Sequence, residues 1–163
     1  MIRIAAEQLA QVVAAAEAAY PQECCGLLSG RAQGSGAARA ITVTAVHPSP
    51  NLASEPQRSF EIDPALRLRL QRDLRDRGDR VVGLYHSHPD GRAQPSSTDL
   101  DRAWETDLAW LITAVQGGRA ILTAAHVLEV GPQVSFRHVP LVTADWQAPP
   151  VRARRPEDGV AFD

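Results

Sequence analysis

A chain of 163 residues, 44% of them hydrophobic, can bury one core of ordinary domain size. Its net charge of −2 excludes the basic footprint of a nucleic-acid binder or of a protein drawn to acidic membranes. No run approaches the roughly 18 apolar residues of a membrane span. Glu7 and Gln8 break the N-terminal apolar stretch where a secretory leader needs continuity, so a cytoplasmic protein is expected.

In chain order, Ile2 and Ile4 alternate as a short first strand. Leu9, Val12, Val13, Ala16 and Tyr20 recur at helical spacing, which predicts an amphipathic helix over 6–19, ended by Pro21. Glu23 falls in the turn before the next strand, Cys24 to Ser29; read locally, it is a solvated glutamate at a helix–strand junction. Cys24 and Cys25 are neighbours that a strand points to opposite faces, so they read as reduced core thiols. Residues 30–38 read as a flexible turn, and Ile41, Val43 and Ala45 as a strand. Pro48 to Pro56 reads as a loop, His47 just before it carries no partner signal, and Ser59 to Ile62 reads as a short strand.

Asp63 and Pro64 start a helix expected to run to about Arg77, with Leu66, Leu70 and Leu74 as its buried stripe and Gly78 as its stop. Its arginines alternate with Asp73 and Asp76 and read as a solvated face. A short helix follows from Ser96 or Ser97 through Trp104. Leu108 to Val115, Ala120 to Val130 and Val134 to Leu141 form a three-strand meander turned at Gly117-Gly118 and Gly131-Pro132. His126 and His138 read as structural or surface histidines. From Asp145 the chain is rich in proline and arginine without periodicity, so a disordered tail is expected over 144–163.

The chemistry lies between the second helix and the meander, in GLYHSHPDGRAQPSSTD, residues 83–99. Val81, Val82, Leu84 and Tyr85 make a buried strand that carries His86 and His88 on one face, and Pro89 ends it. Two imidazoles and the Asp99 carboxylate make a three-ligand zinc set with an open fourth position. The same letters also read as a capping box, Ser96 to Asp99, next to two ordinary strand histidines.

The pattern His-x-His-Pro, six residues, Ser-x-x-Asp resembles the signature of the JAMM (MPN+) zinc metalloproteases, with no departure in residue type or spacing. Pro21-Gln-Glu-Cys-Cys-Gly-Leu-Leu-Ser-Gly30 resembles the start of the stand-alone bacterial members, as do Asn51 and Phe60-Glu-Ile-Asp-Pro64. The resemblance implies a single α/β domain of the cytidine-deaminase-like JAMM/MPN type over 1–143, with a mixed β-sheet flanked by helices. It implies one zinc per chain on His86, His88 and Asp99, with Glu23 as general base and Ser96 steadying the oxyanion. The implied substrate is the Gly-Gly tail of a ubiquitin-like or sulphur-carrier protein, cleaved from a lysine or a C-terminal extension by a monomer or homodimer. The loop around Asn51 becomes a candidate substrate-contact segment. Two other readings stand beside it: a zinc hydrolase for small peptides or amidated metabolites, and a metal-free MPN scaffold. No lysine occurs in the chain. An enzyme that handles lysine-linked carriers would thus offer no side-chain acceptor of its own.

Overall fold

The computed structural model describes residues 1–143; the tail expectation for 144–163 lies outside the described residues. The strands are β1 (Ile2–Arg3), β2 (Cys25–Gln33), β3 (Ala40–Ser49), β4 (Arg80–His88), β5 (Ala109–Gln116), β6 (Arg119–Val130), β7 (Val134–Val139) and β8 (Leu141–Val142). The helices are α1 (Ala6–Ala19), α2 (Pro64–Leu74) and α3 (Ser97–Arg102). The strands form one mixed sheet in the order β7-β6-β5-β4-β2-β3-β1-β8. This is the α/β architecture with a mixed sheet and flanking helices expected from the sequence.

The meander β5–β6–β7 is antiparallel, as expected, while β4 and β5 run parallel with α3 in the crossover between them. The expected strand from Val134 to Leu141 is split. Pro140 has no N–H to give a ladder, and the chain passes there from one end of the strand order to the other. β7 pairs β6, whereas β8 pairs β1 in parallel. One residue thus joins the two ends of the strand order, and the Ile2 N–H donates to the Pro140 carbonyl at 2.8 Å.

Other boundaries moved for local reasons. β2 continues through Gln33 because its apolar partner β3 is long enough to pair it, so half of the expected turn 30–38 is strand. β3 likewise runs on to Ser49 and takes His47 with it; His47 Nε2 lies 2.8 Å from the Ser29 hydroxyl, a partner the sequence did not signal. The expected strand Ser59 to Ile62 is reduced to a single bridge between Ile62 and Asn51. α2 ends at Leu74, three residues before the expected limit, once its leucine stripe is spent; Gly78 then turns the chain at φ +72. α3 ends at Arg102, leaving Trp104 77% exposed.

Two apolar layers hold the sheet. Val12 and Ala16 of α1 pack with Ile4, Leu28, Val43, Tyr85 and Leu111 on one face. On the other face Leu66, Leu70 and Leu74 of α2 pack on Leu27, Leu84 and Trp110. β5 is buried along all but its last residue, as its continuous apolar run implied. β4 lies in the middle of this sandwich, so its C-terminal end is held from both faces. That end carries the two histidines.

Candidate metal centre

His86 and His88 project to the same face of β4, as period-two geometry requires, and α3 brings Asp99 to meet them. His86 Nε2 and His88 Nε2 are 3.0 Å apart, and Asp99 Oδ2 lies 3.3 and 3.2 Å from them. All three side chains are buried. The capping-box reading also holds in full: Ser96 Oγ accepts the Asp99 N–H at 3.1 Å, and Asp99 Oδ2 accepts the Ser96 N–H at 2.7 Å. The two readings are therefore one device. The cap orients the carboxylate that completes the trio.

The donor set suits a divalent cation. His88 Nδ1 is 3.0 Å from the Arg92 carbonyl, which can only accept, so Nδ1 carries the proton and Nε2 presents a bare lone pair. Donation from the distal ring nitrogen to a carbonyl is the usual way in which a ligating histidine is oriented. Phe60 stacks on the other ring, with centroids 4.2 Å apart, and fixes the plane of His86. Ligand atoms on a tetrahedral zinc are separated by about 3.3 Å; the 3.0–3.3 Å spacings here match that arrangement. The carboxylate is ready to ligate. Burial raises the Asp99 pKa, but the adjacent His86 and His88 rings and the hydrogen bond from the Ser96 N–H outweigh it and hold the group well below the carboxylate range. Burial lowers the pKa of His86, favouring the neutral ring that a ligand must be.

Glu23 departs from its local reading. It is 5% exposed rather than solvated, and its Oε2 is buried with no hydrogen-bond partner among the described residues. Burial raises its pKa to about 7, against the opposing pull of His88. The cause of its position is strand register. β2 pairs β4 antiparallel with Cys25 opposite His86. The pairing runs on one step further: Ser87 N–H donates to the Cys24 carbonyl at 3.2 Å, and Cys24 N–H to the Ser87 hydroxyl at 2.8 Å. Glu23 is the next residue along and comes level with His88. Asn51 anchors it from the other side. The Asn51 amide donates to the Glu23 and Ser59 carbonyls at 3.1 and 3.0 Å, and its Oδ1 accepts the N–H groups of Ala53 and Glu61.

Glu23, His88 and Ser96 share one cavity of about 350 Å³ with Gln57, Arg58 and Arg92. All five residues singled out by the sequence thus fall in one place. The supports were not singled out: the Arg92 carbonyl behind His88, the Phe60 ring over His86 and Asn51 as a loop hub. Asn51 and Phe60 carried a resemblance signal, but no local pattern reveals a stacking ring or a carbonyl partner.

A strand-borne histidine pair meeting a helix-start carboxylate, on a mixed sheet sandwiched by helices, defines an α/β domain with a candidate three-ligand metal centre. The chain belongs to the family described as prokaryotic homologs of the JAB domain, which matches residues 5–129. It is 39% identical to desampylase of Haloferax volcanii over 97 residues, 60% of this chain and 66% of that protein. It is 29% identical to the CysO-cysteine peptidase of Mycobacterium tuberculosis over 113 residues, 69% of this chain and 73% of that protein. The fold is similar to the solution structure of a protein from Desulfitobacterium hafniense, with a TM-score of 0.71 at 30% identity, covering 88% of this chain and 94% of that one.

Proposed function

We propose that the protein is a zinc-dependent peptidase or isopeptidase that hydrolyses the amide bond after the Gly-Gly tail of a ubiquitin-like or sulphur-carrier protein. The observation that carries this reading is the convergence of His86, His88 and Asp99 on one buried point beside a cavity shared by Glu23 and Ser96. Relatives named desampylase and CysO-cysteine peptidase support the substrate class. A cytoplasmic setting fits the two free, buried thiols.

In this reading His86, His88 and Asp99 hold one zinc. The metal supplies Lewis acidity, which acidifies water and polarises the scissile carbonyl. Glu23 takes the proton of the attacking water and returns it to the leaving amine; its raised pKa suits a group that must both accept and donate near neutrality. Ser96 uses its lone pair on the Asp99 N–H, which leaves its hydroxyl proton to donate to the developing oxyanion.

The test is incubation of zinc-loaded protein with a Gly-Gly-tailed carrier fusion, followed by intact mass. Cleavage after the last glycine is expected. Glu23→Ala should keep one zinc per chain and lose about 10²–10⁴-fold in rate; a fully active variant would remove the general-base assignment. Purified protein that takes up no zinc would return the chain to the scaffold reading. Equal cleavage of a short peptide with the same tail would favour the small-substrate hydrolase.

A further inference from the structure

Glu23 Oε2 is buried with no hydrogen-bond partner among the described residues, so the place of this carboxylate is set through its backbone. Successive residues of the chain are held there from opposite sides. Cys24 is tied to β4: its N–H donates to the Ser87 hydroxyl at 2.8 Å, and its carbonyl accepts the Ser87 N–H at 3.2 Å. Glu23 is tied the other way. Its N–H donates to the Pro56 carbonyl at 2.8 Å, and its carbonyl accepts from Asn51 Nδ2 at 3.1 Å. Such alternation belongs to an extended chain with a partner on each side. Here the second partner is a loop, residues 50–62, in place of a strand.

One amide gives that loop its shape. An asparagine side chain has two N–H donors and two acceptor lone pairs, and at Asn51 all four are used. Nδ2 donates to the carbonyls of Glu23 and Ser59 at 3.1 and 3.0 Å, while Oδ1 accepts the N–H groups of Ala53 and Glu61, both at 3.0 Å. Two carbonyls on one side and two N–H groups on the other fix which way the amide faces. At the loop's base the Ser49 hydroxyl accepts the Asp63 N–H at 2.9 Å. Phe60, on the same loop, stacks on His86. The loop therefore touches a member of the ligand trio on one flank and the backbone of Glu23 on the other.

The cavity beside the trio is lined by Glu23 and by Gln57 and Arg58 of this loop, and not by Asn51. Asn51 is thus placed to act through Glu23 and not on a substrate. An unpartnered carboxylate is costly to bury, so a Glu23 released at its carbonyl turns toward water. A displacement of about 1 Å in a reacting group costs on the order of a hundredfold in rate.

We propose that Asn51 is a positioning residue for the hydrolytic reaction, holding the Glu23 backbone so that its carboxylate stands beside His86, His88 and Asp99. This inference rests on the hydrolytic reading above.

The experiment uses the zinc-loaded full chain and a Gly-Gly-tailed carrier fusion. Asn51→Ala should keep its zinc content and lose about 10–100-fold in kcat, with KM little changed. Asn51→Asp keeps the oxygen that Ala53 and Glu61 use and lacks the donors, so it should lose kcat to a similar degree; it carries the test if the alanine variant does not fold. The deciding readout is a double-mutant cycle. Added to Glu23→Ala, either substitution should lower the residual rate by no more than about twofold, because the group it positions is gone. Undiminished kcat in Asn51→Asp overturns the inference. So does a full, additive loss on the Glu23→Ala background, which would mark a general structural role, and so does a rise in KM with kcat kept, which would assign the loop to substrate binding. In each of these cases the hydrolase reading stands. If the native protein does not cleave the fusion, that reading fails first, and this inference with it.

Discussion

Glu23 and His126 are both buried polar residues without full hydrogen-bonding, and their sequence contexts made them look alike. Glu23 was assignable only by resemblance, because its placement depends on a register between strands some 60 residues apart, which no local pattern encodes. His86, His88 and Asp99 were legible directly, since period-two geometry and a helix cap are both local. His126 has a consequence for stability. Burial, then the nearby charge of His138, lowers its pKa from the ordinary 6.5 to about 4. The folded state thus favours the neutral ring, while the unfolded chain binds a proton once pH falls below about 6.5. The stability tied to this residue is complete above 6.5 and drains away between 6.5 and 4. Urea midpoints at pH 7 and pH 5 should show it, and His126→Phe should flatten that acid-side loss. An unchanged pH dependence would show that the ring titrates normally in the fold.

At the scale of elements, the sequence marked where each strand and helix begins better than where it stops. Starts are signalled by short-range chemistry: Asp63 Oδ1 accepts the Ala65 N–H at 2.9 Å and Pro64 takes the first helical position, as expected. Stops depend on partners. β2 and β3 outran their apolar patterns because each supplied the other with a ladder, and α3 fell short because Trp104 had no core to enter. At Gly26, β2 is approached closely by the β3 backbone and by a ring from β4. A Cβ there would stand 2.4 Å from the His47 carbonyl and 2.4 Å from the ring of buried Tyr85. Gly26→Ala should destabilise the protein by about 1–3 kcal/mol, as overpacked cores do, and lower the urea midpoint with an unchanged m-value. Wild-type stability in this variant would mean that this approach has more slack than the distances allow.

For the whole molecule, folding and assembly of the candidate metal site are one equilibrium. The trio draws ligands from β4 and α3, elements that are brought together only in the folded chain. A ligand that binds the native state alone at a hundredfold excess over its Kd adds about 2.7 kcal/mol. For a chain of this size that is about 5–10 °C in Tm, at 2–4 °C per kcal/mol. Zinc added to chelator-treated native protein should raise Tm by that order, and His88→Ala should abolish the shift. A shift that persists in His88→Ala would place the ion elsewhere. The mixed sheet, the flanking helices and the meander were legible in periodicity. The joining of the two ends of the strand order through Pro140 was not, because a proline in a strand-like run signals an interruption without saying where the chain goes next.

That joining has an engineering corollary. β1 and β8 run side by side in the same direction, Ile2 beside Leu141, so the first and last described strands leave the same seam of the sheet. A short glycine-rich linker from residue 143 to residue 1 would close the described chain into a ring without crossing the cleft. Reopening that ring at the Gly117-Gly118 turn should give a circular permutant with the same fold and metal uptake. In it, Glu23, His86, His88 and Asp99 would all stay on one continuous segment ahead of the new C-terminus.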